Sequence, residues 1–212
     1  MVEIEKIFIL NNEIKLEAEY FQSKSNKDKP VVLICHPHPQ FGGNMFNNVV
    51  SAIFNILIRN DISCLRFNLR AVGRSNGTHS NGSGELSDVK ACIDFLVNEK
   101  DIKKVVICGY SYGAAIGCSA VNHSDKVIGY IAISFPWDFM GINYKELSQS
   151  KKPKFFLQGD RDTIALFDKF LDHYKYYIEP KQYEIISGAD HFYWGYEDQI
   201  SEKVFKFYQS IK

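Results

Sequence analysis

Hydrophobic and polar residues alternate along the first twenty residues, and a different pattern follows. Residues 2–10 and 13–21 alternate around Asn11 and Asn12, which predicts an antiparallel hairpin with one exposed face. Further along, short apolar runs predict buried strands at 31–35, 62–67, 105–108, 127–133, 154–157 and 182–186. Helical periodicity between or after them predicts helices at 44–58, 85–98, 164–174 and 197–211. This alternation predicts right-handed crossovers and a mostly parallel central sheet with helices on both faces, an α/β fold.

Length and composition favour one globular domain over residues 1–212. With 212 residues, 45% of them hydrophobic, the chain can form one substantial core but not two comfortable α/β domains. The 25 basic and 25 acidic side chains cancel, so no overall field attracts nucleic acid or an anionic membrane. We therefore expect no nucleic-acid or membrane partner, and the sequence leaves monomer and homodimer both open.

The N-terminal residues and the cysteines indicate a cytoplasmic protein. Residues 1–10 include Glu3 and Glu5 and lack the basic segment and apolar run of a signal peptide. No apolar run approaches the roughly 20 residues of a membrane-spanning helix. The five cysteines are odd in number, and none belongs to a C-x-x-C motif, which favours reduced, buried thiols.

One five-residue motif indicates a nucleophile. The sequence GYSYG, residues 109–113, follows the apolar run 105–108 and precedes a helix-like stretch. A strand that turns directly into a helix holds its central residue, Ser111, in a strained conformation and exposes the hydroxyl at the sheet edge. Gly109 and Gly113 satisfy the close packing of the helix on its own strand. We therefore predict a nucleophile elbow with Ser111 at its tip.

A serine nucleophile needs a general base and an acid that orients the base. His191 follows the strand 182–186 in a flexible turn and is the candidate base. The acid is Asp160 or Asp162, both after the strand 154–157. We favour Asp162, since Gly159 lets the chain turn back toward the histidine while Asp160 fixes the turn by binding backbone amides. The competing role for Asp162 is the N-cap of the helix 164–174.

An acyl-transfer site also needs N–H donors where negative charge develops. The amide of Tyr112, which follows the nucleophile, is one candidate. The second is expected from the loop after the strand 31–35. Two prolines in this loop have no N–H, which leaves His38, Gln40 and Phe41, with His38 favoured.

The paired histidines of the same loop raise a metal-binding alternative. His36 and His38 could bind a metal together with Asp162 or His191, but no cysteine or glutamate completes a ligand set. The favoured role is structural, with these side chains fixing their own loop. We therefore predict no metal and no cofactor.

Four motifs give the chain a family resemblance from residue 31 to residue 191. They are HPHPQFGGNM (36–45), LRFNLRAVGRSNG (65–77), GYSYGAA (109–115) and GADHF (188–192). With them the chain resembles the alpha/beta hydrolases, in particular a small branch with little or no lid that is related to dienelactone-hydrolase-like proteins. The resemblance implies the alpha/beta-hydrolase fold, with Ser111 as nucleophile, Asp162 as acid and His191 as base. It also implies oxyanion donors at Tyr112 and in the His38 loop.

The resemblance carries expectations for two loops. Relatives commonly have glycine where Ala71 stands, so the loop 70–77 departs from their pattern. Arg70 and Arg74 of this loop either grip an acidic substrate or bond nearby carbonyls, and we favour the second role. Many relatives carry a large lid before the acid-bearing strand, whereas here only residues 135–152 lie there, which predicts an open pocket. The aromatic residues expected to line the pocket are Phe41, Tyr110, Trp137, Phe192, Tyr193 and Trp194.

The motifs together predict a serine hydrolase that cleaves a small ester, a thioester or an amide through an acyl-Ser111 intermediate. The expected partner is a small-molecule acyl substrate. Two alternatives remain open. The first is a non-catalytic protein that uses the same fold to bind a metabolite or a partner. The second is a peptidase or acyltransferase with the same three residues, because pocket shape decides the acceptor.

Overall fold

The computed structural model describes residues 3–26 and 28–211. Its strands are β1 (Glu5–Asn11), β2 (Ile14–Phe21), β3 (Val31–Cys35), β4 (Cys64–Phe67), β5 (Val105–Tyr110), β6 (Val127–Ile133), β7 (Lys154–Gly159) and β8 (Lys181–Ile186). Its α-helices are α1 (Asn48–Arg59), α2 (Ser83–Asp94), α3 (Tyr112–Cys118), α4 (Trp137–Met140), α5 (Ile142–Leu147), α6 (Phe170–Tyr176) and α7 (Glu197–Ser210). Within the described ranges, no helix is both long and apolar enough to cross a membrane.

The eight strands form one sheet in the order β1-β2-β4-β3-β5-β6-β7-β8. β1 pairs antiparallel with β2, and β2 pairs antiparallel with β4. The other neighbours are parallel. The predicted fold class is confirmed, including the N-terminal hairpin. The hairpin was predicted from Val2, which lies outside the described residues.

The helices cover both faces of the sheet, as predicted. α2 and α3 bury side chains such as Ile93 and Ile116 against one face. α1 and α7 bury Ile53 and Phe207, among others, against the other. Each fully buried side chain of this kind stabilises the fold by about 1.5–3 kcal/mol. Two continuous apolar layers therefore fix the sheet from either side.

Two predicted helices begin later than their sequence pattern indicated. The helix predicted from residue 44 begins at Asn48, because the side chain of Asn47 accepts the Val49 N–H at 3.0 Å and caps the first turn. The helix predicted over 164–174 is replaced by a turn, a short 3₁₀ segment and then α6 from Phe170. Leu166 is extended there, with ψ 111°, so the chain cannot continue as a helix from residue 164.

The parallel strands bring four loops to one edge of the sheet. The carboxyl ends of β3, β5, β7 and β8 lead into the loops that carry the candidate residues. Ligands of open α/β sheets bind outside these carboxyl ends. Distant parts of the chain therefore meet at a single surface.

Candidate active site

Ser111 occupies a sharp turn between β5 and α3. Its backbone has φ 55° and ψ −122°, a strained conformation for a residue with a side chain. A Cβ on Gly109 would lie 2.2 Å from the Gly113 carbonyl oxygen, and a Cβ on Gly113 would lie 2.3 Å from the Cys35 carbonyl oxygen. Only glycine fits at either position. The predicted elbow geometry is thus present, with the serine at its tip.

Three residues from three loops are joined by hydrogen bonds. Ser111 Oγ lies 2.8 Å from His191 Nε2, and His191 Nδ1 lies 2.8 Å from Asp162 Oδ2. Because a carboxylate only accepts, the imidazole proton stands on Nδ1, which leaves Nε2 to accept the serine hydroxyl. All three side chains are buried. The fold therefore brings together residues that are far apart in the sequence.

The two aspartates after β7 have different partners. Asp160 accepts hydrogen bonds from the Gly188 amide at 2.7 Å and the Ser187 hydroxyl at 3.0 Å, so it fixes the start of the His191 loop. Asp162 faces His191, and its Oδ1 also accepts the amides of the second and third residues after it at 2.9 Å. Asp162 thus orders the following turn as well as pairing with the imidazole, although no α-helix begins there.

The Asp162 carboxyl is ionised at neutral pH. Burial alone would raise its pKa, but hydrogen bonds from His191 and Ser134 and the attraction of His191 hold that pKa below its ordinary value. The carboxylate is thus available to stabilise a positive charge on the neighbouring ring.

The loop that presents His191 is held at several points. The Tyr110 hydroxyl donates to the His191 carbonyl oxygen at 2.5 Å. Asp190 Oδ1 accepts the amides of Phe192 at 2.9 Å and Tyr193 at 3.2 Å. These bonds fix the backbone on both sides of the imidazole, so the ring is held in place toward Ser111.

The backbone donors near Ser111 can be sorted by their existing partners. The Gln40 amide donates to the imidazole of His38 at 3.2 Å, and the Phe41 amide donates to the His38 carbonyl at 3.1 Å. The amides of His38 and Tyr112 have no acceptor among residues 3–26 and 28–211. Of the three donors left open by the sequence, His38 is therefore the one that remains available.

His36 fixes the loop that carries the His38 donor. Its ring is fully buried; Nδ1 donates to the Pro37 carbonyl at 2.6 Å, and Nε2 accepts the Leu69 N–H at 3.0 Å. Burial lowers the pKa of His36 to about 4, so the ring is neutral. The His38 ring packs on Tyr112 with ring centroids 4.5 Å apart. Within the described part of the chain, no three metal-binding side chains are grouped.

An open cleft of about 580 Å³ lies over Ser111. Three of the predicted aromatic residues, Phe41, Tyr110 and Phe192, line it. The sequence analysis missed three other lining residues: Pro136 and Phe139, which follow β6, and Ile164, which follows β7. Their position after strands that end at the same edge was a usable signal. The lining residues are Pro37, His38, Phe41, Gly42, Gly43, Asn47, Tyr110, Ser111, Tyr112, Pro136, Phe139, Ile164, His191 and Phe192. None of them is an aspartate, a glutamate, a lysine or an arginine.

Three predicted pocket residues, Trp137, Tyr193 and Trp194, do not line the cleft, so that prediction is wrong for all three. Trp137 opens α4 with its ring turned into the core, stacked on Phe135 at 4.8 Å, and its Nε1 donates to the Tyr177 hydroxyl at 2.9 Å. Trp194 is 72% exposed outside the cleft. Tyr193 is fully buried within the His191 loop.

The loop 70–77 lies away from the cleft. Arg70 forms a two-pronged ion pair with the buried Asp88, at 2.8 and 3.0 Å, rather than binding carbonyls as favoured from the sequence. The Arg74 guanidinium lies over the Phe8 ring. Neither arginine lines the cleft. Ala71 has φ 63°, a left-handed conformation that favours glycine, the residue that the family resemblance leads us to expect here.

Comparison with known proteins agrees with this architecture. Residues 30–184 match the family model described as alpha/beta hydrolase fold. An uncharacterised protein of Rickettsia prowazekii is 33% identical over 206 residues, covering 94% of this chain and 86% of its own length. The structure of an alpha-beta serine hydrolase homologue from Coxiella burnetii superposes with a TM-score of 0.87 at 28% identity, covering 98% of both chains.

A further solved structure supports the fold alone. It is an a/b serine hydrolase without lid from Xanthomonas campestris, with a TM-score of 0.79 at 22% identity, covering 97% of this chain and 95% of its own. The finer resemblance to dienelactone-hydrolase-like proteins stays a prediction.

Proposed function

Because the chain is a hydrolase that belongs to the alpha/beta hydrolase family, we propose that it cleaves a small ester through an acyl intermediate on Ser111. The observation that carries this proposal is the continuous run of hydrogen bonds from Ser111 through His191 to Asp162. The Ser111–His191 and His191–Asp162 hydrogen bonds are both 2.8 Å long. This arrangement is what general-base activation of a hydroxyl requires.

In the proposed reaction, His191 Nε2 takes the hydroxyl proton of Ser111 as Ser111 Oγ attacks the carbonyl carbon of the ester. The amides of His38 and Tyr112 donate to the oxyanion that develops. His191 then gives the proton to the departing alcohol, which leaves an acyl-Ser111 ester. Water, deprotonated by the same imidazole, attacks this ester, and the imidazolium returns the proton to Ser111 Oγ as the acid departs. Asp162 stabilises the imidazolium in both halves of the reaction.

The lining of the cleft favours an uncharged, apolar acyl group. Phe41, Phe139 and Phe192 line it, and these residues are 78%, 62% and 53% exposed to solvent. The two arginines considered as anchors for an acidic substrate face elsewhere. A carboxylate in this cleft would lose water without gaining a cationic partner, which is unfavourable. We therefore propose a neutral ester as the substrate, with a thioester or an amide as the weaker possibilities.

A cytoplasmic location belongs to the same proposal. All five cysteines are free and buried, as in proteins of a reducing compartment.

A fluorophosphonate probe tests the central claim. It should label the wild-type protein and spare Ser111→Ala, with the added mass located on Ser111 by peptide mass spectrometry. Ser119→Ala, which removes the buried hydroxyl that donates to the Ala115 carbonyl directly after α3, is the matched control and should be labelled like wild type. Equal labelling of wild type and Ser111→Ala would reject the proposal.

The substrate class is tested with p-nitrophenyl esters of matched chain length. Neutral esters such as the butyrate should turn over at least tenfold faster, as kcat/KM, than the singly charged succinate ester, since an unpaired charge in an apolar site costs at least about 1.4 kcal/mol. Preference for the charged ester would contradict the proposed substrate while leaving the proposed nucleophile intact.

A further inference from the structure

Two buried hydroxyls lie behind the candidate acid. Ser134, the first residue after β6, places its Oγ 2.6 Å from Asp162 Oδ2, and the Tyr193 hydroxyl lies 2.6 Å from the same Oγ. Both side chains are fully buried. Neither of them lines the cleft, so neither contacts a substrate.

The direction of these hydrogen bonds follows from the number of protons. The Asp162 carboxylate can only accept, so Ser134 donates its single hydroxyl proton to it. Ser134 Oγ must then accept from Tyr193, whose hydroxyl is the donor. Burial raises the pKa of the Tyr193 phenol, so this donor keeps its proton at neutral pH. The chain of donors therefore runs from Tyr193 through Ser134 to the carboxylate.

These hydrogen bonds complete a closed ring of hydrogen bonds that includes Asp162. Tyr193 stands two residues after His191, so the His191 loop reaches Asp162 twice. One connection is direct, through the imidazole at 2.8 Å, and the other runs through Tyr193 and Ser134. The ring joins the ends of β6, β7 and β8, so a shift of any one loop would break a buried hydrogen bond.

The backbone at both positions is held in an unfavourable conformation. Among the described residues, eight non-glycine residues have positive φ, and four of them are Asn or Asp, which tolerate it. Of the other four, Ser134 has φ 47°, Tyr193 has φ 57° and Ser111 has φ 55°. Strain of this kind persists only where the surroundings fix it, and it collects at functional sites.

We propose that Ser134 and Tyr193 are positioning residues that hold Asp162, and through it the imidazole of His191, in the geometry that activates Ser111. This inference rests on the proposed function, because it assigns these hydroxyls a part in that reaction. Ser134 acts on the carboxylate directly, and Tyr193 acts through Ser134.

Two substitutions isolate the hydroxyls from other effects. Ser134→Gly removes the donor to Asp162 and suits φ 47°, so it does not add backbone strain. Tyr193→Phe keeps the ring in place and removes only the hydroxyl. The matched controls are Ser148→Ala and Tyr177→Phe, which break a similar buried serine–tyrosine hydrogen bond of 2.9 Å that lies outside the cleft.

The first readout is steady-state turnover of p-nitrophenyl butyrate. Ser134→Gly should lower kcat by about 10- to 100-fold and Tyr193→Phe by about 3- to 10-fold, with KM nearly unchanged, as expected for a lost bond to a charged and to a neutral group. The pH profile of kcat/KM should also change in Ser134→Gly, because the carboxylate that faces the imidazole loses one of its hydrogen bonds. The control variants should keep the wild-type kcat and pH profile.

The double variant provides the decisive comparison. Since Tyr193 acts through Ser134, adding Tyr193→Phe to Ser134→Gly should cause no further loss of kcat. A further loss equal to that of the single Tyr193→Phe change would overturn the proposed chain. A Ser134→Gly variant that keeps the wild-type kcat and the wild-type pH profile would also overturn it.

Labelling by the fluorophosphonate probe separates the two levels of the argument. Labelling of wild type at Ser111 with unchanged kinetics in both variants would overturn only the positioning role. Absence of labelling and of turnover in wild type would overturn the proposed function, and the positioning role with it. The low-field ¹H NMR signal of the imidazole Nδ1–H gives a readout that does not depend on turnover. It should shift in Ser134→Gly and stay in place in Ser148→Ala, and an unshifted signal in Ser134→Gly would count against the inference.

Discussion

Replacement of His36 by glutamine is expected to make the free energy of unfolding depend much less on pH between 6.5 and 4. The ring is fully buried and neutral, and burial lowers its pKa from 6.5 to about 4. Between pH 6.5 and about pH 4, the unfolded chain therefore binds a proton at His36 that the folded chain does not bind. At about 1.36 kcal/mol for each pH unit, this interval corresponds to about 3 kcal/mol. The contribution is fully present above pH 6.5 and is lost as the pH falls toward 4.

Urea unfolding, followed by far-UV circular dichroism at pH 7.5 and pH 4.5, measures this effect. Glutamine can still accept the Leu69 N–H but cannot gain a proton. The stability advantage of wild type over His36→Gln should therefore shrink by about 2–3 kcal/mol at the lower pH. Cys35→Ala is the control at the neighbouring buried residue, since burial raises the pKa of its thiol and leaves it neutral throughout. An advantage over His36→Gln that is equal at both pH values would refute the reasoning.

Three further predictions concern positions outside the proposed mechanism. Ala71→Gly should raise the thermal unfolding midpoint, because it relieves about 1 kcal/mol of strain at φ 63°, and a lower midpoint would contradict this account. Trp137→Ala should lower the unfolding free energy by about 3–5 kcal/mol, since it empties a buried site. Trp194→Ala should change stability by less than about 0.5 kcal/mol and leave kcat/KM for p-nitrophenyl butyrate unchanged, so that a large effect there would place this exposed ring in the site after all.

Features set by short stretches of sequence were predictable. Each strand of the parallel sheet is a local apolar run, and strand order then places the loops at one edge. The elbow around Ser111 is determined by five consecutive residues, because backbone crowding requires glycine at positions 109 and 113. His191 and Asp162 were located because each follows a strand that ends at that edge.

Features that depend on the direction of a side chain were not predictable. Trp137 and Trp194 are the same residue type and both follow strands that end at the same edge, yet one ring packs into the core and the other faces solvent. Nothing in the neighbouring sequence separates them, because the packing partners of Trp137 come from distant segments. Ser134 was missed for a similar reason. Its place directly after β6, like that of Ser111 after β5, was the available signal.

The open cleft has a thermodynamic consequence. Phe41, Phe139 and Phe192 keep their rings against water until a ligand covers them. Each ligand that enters releases this hydration water, so association must lower the heat capacity of the system. The enthalpy of association therefore becomes more negative as the temperature rises. Calorimetric enthalpies of ligands for this cleft are comparable only when they are measured at the same temperature.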